Sequence, residues 1–385
     1  MRFGIIAHLL SFEAGYRQAG VSRYIEHLLR ELPATAPGDD IVVFGNRAVE
    51  QAAASAMPPA LRWRLSRLPT ERRAVRIAWE QALAPLVAVR DAVDVVHAPV
   101  NIAPLLAPRP VVVTVHDLAF LRDPEQYPAA QQQYLRLFTA LSVRRARRII
   151  AVSEHTRQDI LRYYGVQPER VVTVPNGVDH ERFRPVSDPQ ATRAFRAAHG
   201  LPEDFILFVG TLQPRKNLVG LLRAYAQLDP ATRPPLIVGG GEGWLYEPIF
   251  TEAQALGVAD DVRFAGYIDP VELPLWYSAA TMFVYPSLYE GFGLPVLEAM
   301  ACGSPVITSS TSALAEVAGD AALLVDPEDV GSLSAALRRL GEDAELRATL
   351  RRRGLERAAA FSWERTARAT VQVYRAAYRP APAAR

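Results

Sequence analysis

The chain has 385 residues, more than one ordinary hydrophobic core organises and enough for two. Half of them are hydrophobic, which excludes a disordered chain, and a formal net charge of +2 gives no electrostatic reason to expect nucleic acid as a partner. A single cysteine, Cys302, excludes an intrachain disulfide framework and a cysteine-based metal cluster, and its apolar helical surroundings mark it as core.

The N-terminal stretch "MRFGIIAHLLSFEAG" carries an apolar run too short to span a bilayer, with Glu13 close behind it. It reads as a first buried strand, and the protein as cytoplasmic. Short apolar runs then alternate with amphipathic stretches, the βαβ rhythm of a parallel sheet. In the first half the strands are expected at "RFGIIAHL", "DIVVF", "DVVHA", "VVVTVHD", "RRIIAVS" and "RVVTVPNG", with helices at "GVSRYIEHLLREL" and "QQQYLRLFTALSVRRA". The rhythm restarts at "FILFVGT" and continues through "PLIVGG", "VRFAGY", "MFVYPS", "SPVITS" and "AALLVD". Between the halves, "NGVDHERFRPVSDPQA" is polar, holds two prolines and reads as a hinge. Two α/β domains follow, 1–183 and 184–362, each a doubly wound Rossmann-like sheet, with the amphipathic segment 363–385 returning to the first. Ligands of such sheets bind beyond the carboxyl ends of the strands, so residues just after strands are the candidates.

Two such stretches carry chemistry. In "FVGTLQPRKNLVGLLRAY" a strand ends at Gly210 and a helix starts near Asn217, which puts Arg215 and Lys216 at a helix N-terminus. Lys216 is the one lysine among 43 basic residues, and a compact ammonium is not interchangeable with a planar guanidinium at a tight anion site. Two cations beside orphan N–H groups suit a diphosphate better than a lone carboxylate. In "YPSLYEGFGLPVLEAMACGSPVITS", Glu290 follows a strand and Glu298 lies about one turn into a helix opened by Leu294 and Pro295. Gly291 and Gly293 let the intervening backbone approach a ligand. Carboxylates so placed accept hydrogen bonds from vicinal sugar hydroxyls, one for a ribose and one for a hexose. Taken singly, each residue also has a plain reading: a solvated basic loop, a helix-favouring glutamate, a surface carboxylate.

These stretches, with "AGVSRYIEHLLREL", "VTVHDLAF", "AVSEHTRQDI", "VPNGVD" and the terminal "FSWERTARATVQVYRAAYR", resemble retaining GT-B glycosyltransferases of family 4. The spacing of Glu290 and Glu298 is the most specific mark, and the "GVSRY" and "HDL" forms look like the mannosyltransferase branch. The resemblance covers essentially the whole chain. It implies the GT-B fold, two Rossmann-like domains facing across a cleft, and transfer of a hexose from a nucleoside-diphosphate sugar, GDP-mannose favoured, to a glycan or lipid-linked acceptor. By position it implies that Arg215 and Lys216 hold the diphosphate, that Glu290 binds hydroxyls of the transferred sugar beside amides of Gly291, Phe292, Gly293 and Leu294, and that Glu298 binds the ribose. Gly210 would line the donor site, and Tyr267 and Ile268 would border the base. Gly20 would close on the phosphates, His116 would sit near the sugar and the attacking hydroxyl as a catalytic residue with Arg215, Lys216 and Glu290, and Asp117 would lie with it on the acceptor side. The family has two glycines where this chain has Ala19 and Gly20. Neither a metal nor a cofactor is expected. His116 also reads as a strand-end histidine bonded to backbone.

Residues 61–90 hold seven arginines against two glutamates, with Trp63 and Trp79 among them. That pattern fits peripheral contact with an anionic membrane, and equally a solvated face of an arginine-rich protein. Two other functions fit the same frame: a nucleotide-sugar epimerase or hydrolase, and a non-catalytic two-domain binding protein. Replacing Lys216 or Glu290 is expected to abolish transfer with little loss of folding.

Overall fold

Strands buried on both faces read as unbroken apolar runs, and here such runs assemble into parallel sheets. The computed structural model describes residues 1–12 and 20–378 and contains two such sheets. The first comprises β1 (Arg2–Ile6), β2 (Asp40–Asn46), β3 (Leu61–Ser66), β4 (Val95–Ala98), β5 (Val111–Val115), β6 (Arg148–Ala151) and β7 (Val171–Thr173), ordered β3-β2-β1-β4-β5-β6-β7. The second comprises β8 (Ile206–Val209), β9 (Leu236–Gly239), β10 (Val262–Gly266), β11 (Met282–Tyr285), β12 (Val306–Ser309) and β13 (Leu323–Val325), ordered β10-β9-β8-β11-β12-β13. Both are doubly wound. In each, strand order reverses beside the first strand, opening a crevice at the carboxyl ends of β1 and β4 and of β8 and β11. The chain divides into units 1–177 with 363–385, and 178–362; sequence placed the change at 183 and 184.

In the first unit the helix Gly20–Thr35 buries Tyr24, Ile25, Leu28, Leu29 and Leu32, a stripe of helical period. The helix Trp363–Tyr378 lies along it and buries Trp363, Ala367, Val371 and Tyr374. Trp363 stacks on His27 with ring planes 6° apart, and Tyr374 reaches His97 Nδ1 at 2.7 Å and packs on Phe3. The last residues of the expected segment, 379–385, and Ala19 lie outside the described residues.

β3 was not foreseen, because "LRWRLS" reads as part of a basic segment. It is the edge strand of the first sheet, in register with β2 through Val43 and Trp63. Arg62 pairs with Asp40 at 3.3 Å and Arg64 with Asp91 at 3.1 Å. The Trp63 ring fills the space over Gly45, where a Cβ would meet it at 3.2 Å. Trp79 is buried against His8, ring centroids 4.2 Å apart, and Phe44. Both tryptophans serve the unit's own packing.

Candidate active site

The crevice of the second unit lies beyond β8 and β11, and the loops after those strands carry Arg215, Lys216 and Glu290. Residues Pro214–Lys216 form a single 3-10 turn, and Asn217 then adopts a left-handed conformation, φ 57°, before the helix Leu218–Ala226. The two cations therefore sit in a turn ahead of the helix, rather than at its own N-terminus. The Asn217 side chain donates to the carbonyls of Pro286 and Pro327, at 3.2 and 2.6 Å, and so ties this turn to the β11 loop and to the segment after β13.

Around Glu290 the side chains converge. Lys216 Nζ donates to Glu290 Oε1 at 2.5 Å and to the Tyr285 hydroxyl at 2.6 Å. Tyr285 in turn donates to the same carboxylate oxygen at 3.1 Å, and Ser287 Oγ lies 2.7 Å from it. Arg215 Nη1 donates to Glu290 Oε2 at 3.1 Å and to the Tyr289 carbonyl at 2.8 Å. The backbone holds Glu290 as firmly, since its N–H reaches Ser312 Oγ at 3.2 Å and its carbonyl accepts from Ala313 at 3.3 Å. Ser312 takes φ 58° to do this, a strained conformation for a residue with a side chain.

Electrostatics explain why so much charge sits in so buried a place. Burial alone would raise the Glu290 carboxyl, but the charges of Arg215 and Lys216 and the hydrogen bonds from Lys216 and Ser287 outweigh it and hold the group at about 2. Burial and the neighbouring Glu290 carboxylate push the Tyr285 phenol well above its ordinary range, so it remains a hydrogen-bond donor. Two cations against one carboxylate leave the cluster net positive. Such a group attracts an anion while offering carboxylate oxygens to hydroxyls.

The helix Leu294–Ala301 opens at Gly293, whose φ of 105° and whose missing Cβ matter: an added Cβ would lie 2.5 Å from Leu314 Cδ2. Gly291 and Phe292 are buried beside it, and Leu294 is half-buried. Glu298 lies on this helix at 2 % exposure, with the Tyr277 hydroxyl 3.3 Å from Oε2. Across the sheet edge, the glycine run after β9 has a structural reason. A Cβ on Gly240 would stand 1.9 Å from the Gly210 carbonyl oxygen, and one on Gly239 would collide with Ile268. Ile268 is thus buried against the loop, whereas Tyr267 stays 48 % exposed.

His116, Asp117 and Gly20 belong to the first unit. His116 follows β5; its Nε2–H donates to the Pro99 carbonyl at 2.9 Å, which leaves the lone pair on Nδ1. Burial lowers its pKa, against the opposing pull of the Pro99 bond and the Asp117 charge, so the ring is neutral at pH 7. Asn101 Oδ1 accepts from the His116 N–H at 3.0 Å and Asn101 Nδ2 donates to the Asp117 carbonyl at 2.9 Å, fixing both residues from the β4 loop. Gly20 is the exposed first residue of its helix, with open space where a Cβ would stand. Sequence reasoning missed Tyr285, Ser287, Asn217, Ser312 and Asn101. Tyr285 and Ser287 lie within five residues of Glu290 at a strand end, a spacing that could have flagged them.

A doubly wound unit with a net cationic cluster around a carboxylate at its switch point is suited to an anionic ligand that also carries hydroxyls. The family model described as "Glycosyl transferases group 1" matches residues 191–357, and that described as "Glycosyltransferase Family 4" matches residues 19–182. The O-antigen chain mannosyltransferase B of Escherichia coli is 36% identical over 75% of this chain and 76% of its own length. A D-inositol 3-phosphate glycosyltransferase of Catenulispora acidiphila is 40% identical over 60% of this chain, a match spanning only 56% of that relative. Among solved structures, sucrose-phosphate synthase from Thermosynechococcus elongatus superposes with a TM-score of 0.78 at 25% identity over 97% of this chain and 98% of its own. The Anabaena protein HepE, solved with UDP-glucose, shares the fold, TM-score 0.74 at 20% identity over 98% of both chains. The chain belongs to the family 4 GT-B glycosyltransferases and is a glycosyltransferase enzyme.

Proposed function

We propose that this enzyme transfers a hexose, mannose favoured, from a nucleoside-diphosphate sugar to a glycan or lipid-linked acceptor, with retention of anomeric configuration and without a metal. The observation that carries the reading is the Arg215–Lys216–Glu290 cluster at the carboxyl ends of β8 and β11. Arg215 and Lys216 receive the donor diphosphate, and the charge that develops on it as the C1–O bond breaks meets cations already in place. Glu290, with amides of the 291–294 turn, holds hydroxyls of the hexose; Glu298 holds the ribose, and Gly210, Tyr267 and Ile268 border the nucleoside. A carboxyl held at about 2 is a poor general base at neutral pH, which supports a holding role for Glu290. The acceptor hydroxyl then attacks the same face that the phosphate leaves, forming the new glycosidic bond and passing its proton to the departing phosphate oxygen. His116, with Asp117 and the Gly20 loop, serves the first unit's side of the reaction. Mannose is favoured by the E. coli relative's activity, and peripheral contact with the cytoplasmic face of a membrane by the lipid-linked acceptor.

A thermal-shift screen with GDP-mannose and UDP-glucose tests the donor, because a ligand that binds only the folded state raises its melting temperature. GDP-mannose is expected to stabilise the protein, and Glu290→Gln and Lys216→Gln to remove both this stabilisation and transfer. Stabilisation by UDP-glucose alone would overturn the mannose assignment. Full transfer by either variant would overturn the site. Release of free sugar or an epimer without acceptor would instead favour the hydrolase or epimerase reading. Sequence leads us to expect little loss of folding. Because both partners are buried, some loss of stability should accompany each variant. It should be smaller than the cost of a stranded buried charge, about 3–5 kcal/mol, since Arg215 still faces Glu290 and Tyr285 still faces Lys216. The polar glutamine replacements limit that cost.

A further inference from the structure

The first unit carries an aliphatic surface that its own fold leaves uncovered. Leu83, Leu86 and Val89 project from residues 79–90, with Leu86 at 65 % exposure. Leu106 tops the loop between β4 and β5 at 77 % exposure, and Leu137 and Leu141 ride one face of the helix Ala129–Arg145. Hydrogen bonds make these three elements neighbours. Gln81 donates to the Ala103 carbonyl and accepts from the Leu105 N–H, both at 3.0 Å. From the other helix Arg145 donates to the carbonyls of Leu105 and Ala107, at 3.2 and 2.5 Å. Leu106 therefore stands between the two groups of leucines. Arg73 over the Tyr134 ring adds a further tie between the flanking helices.

Exposed charge on these elements has one sign. Segments 79–90, 99–110 and 129–145 contain five arginines, Arg90, Arg109, Arg136, Arg144 and Arg145, against one carboxylate, Glu80, which is buried with Arg76 3.8 Å away. A second copy of the chain docked here about a two-fold axis would set arginines against arginines, since the nearest carboxylates, Glu80 and Asp91, are already engaged by Arg76 and by Arg64 and Arg90. An anionic bilayer offers what the face lacks: phosphates for the guanidiniums and an apolar layer at the depth of the leucines.

We propose that this leucine–arginine face, and not the tryptophans of the 61–90 segment, seats the enzyme on an anionic lipid surface. The assignment deepens the reading of a lipid-linked acceptor and rests on it for its purpose, while its test does not depend on transfer. The full-length protein is floated with vesicles of phosphatidylglycerol and phosphatidylcholine, and with phosphatidylcholine alone. Binding to the anionic vesicles is expected, weakening as salt is raised. The triple variant Leu86→Ser/Leu106→Ser/Leu137→Ser should bind roughly tenfold or more weakly, because three side chains no longer enter the bilayer boundary. Arg136→Glu/Arg144→Glu should lose the preference for phosphatidylglycerol. Val271→Ser, equally exposed but in the second unit, should bind as the parent does. Far-ultraviolet circular dichroism on each variant separates lost folding from lost binding. Unchanged vesicle binding by the folded leucine variant would overturn the proposal. So would a parent protein that ignores vesicles, or a dimer seen by light scattering that the same substitutions dissolve. A failure of the nucleotide sugars to stabilise the protein would sink the donor reading and leave this one standing.

Discussion

Glu290 and Glu80 are both buried carboxylates, and their surroundings drive them in opposite directions. Glu290 has two cations and two hydroxyls within hydrogen-bond reach and is held at about 2. Glu80 has Arg76 at 3.8 Å, which only partly offsets its burial, and it is pushed up to about 7. A depressed folded pKa contributes stability that is present above the ordinary carboxyl value of 4.5 and is lost as pH falls toward about 2. A raised one contributes stability present below 4.5 and lost as pH rises through about 7. Glu80→Gln should therefore hold its melting temperature better than the parent between about pH 5 and pH 8. Calorimetry across that window checks this, and parallel curves for the two proteins would refute it. At this scale the sequence was legible where composition singled a residue out, as with the lone Lys216. It was silent on Ser312, whose role depends on a strained turn that only the assembled sheet brings to Glu290.

Strands were read well because an apolar run needs no partner to be recognised. All six of the second sheet fall inside the stretches assigned to them. β3 escaped because edge strands are half solvated, and its alternating arginines resemble a charged surface as much as a pleat. The "GGGEG" run at the end of β9 has a purpose that the sequence does not disclose. It lets the β9 loop lie directly against the β8 loop. Gly240→Ala must push a Cβ into the Gly210 carbonyl at a φ of 143°, and should lower the melting temperature of the second unit by at least about 5 °C. Gly20→Ala meets nothing and should leave stability unchanged. If Gly20 approaches the donor phosphates, that variant will instead show reduced kcat/KM, and a fully active Gly20→Ala would remove the residue from the site.

At the scale of the molecule, the alternation of strands and helices disclosed two sheets, and motif resemblance disclosed the family. The donor base and the acceptor stayed out of reach, because no side-chain motif in the loops beyond the strands names either one. The return of the helix Trp363–Tyr378 to the first unit makes the two units unequal in what they need from the chain. Deleting residues 363–385 removes Tyr374 from His97 and Phe3 and uncovers the apolar stripe of the helix Gly20–Thr35. The truncated protein should lose the calorimetric transition of the first unit, while residues 178–362 expressed alone should still melt cooperatively. Two unchanged transitions after truncation would contradict this.

The same feature sets the order of events on the ribosome. Residues 1–177 leave the ribosome well before the helix that covers them, which is made about 10–40 s later at ordinary synthesis rates of about 5–20 residues per second. The second unit is made within that interval and can close as soon as residue 362 is added, while the first still waits with its stripe exposed. Until residues 363–378 are made, the first unit exposes an apolar stripe of the kind that makes incomplete chains prone to aggregate.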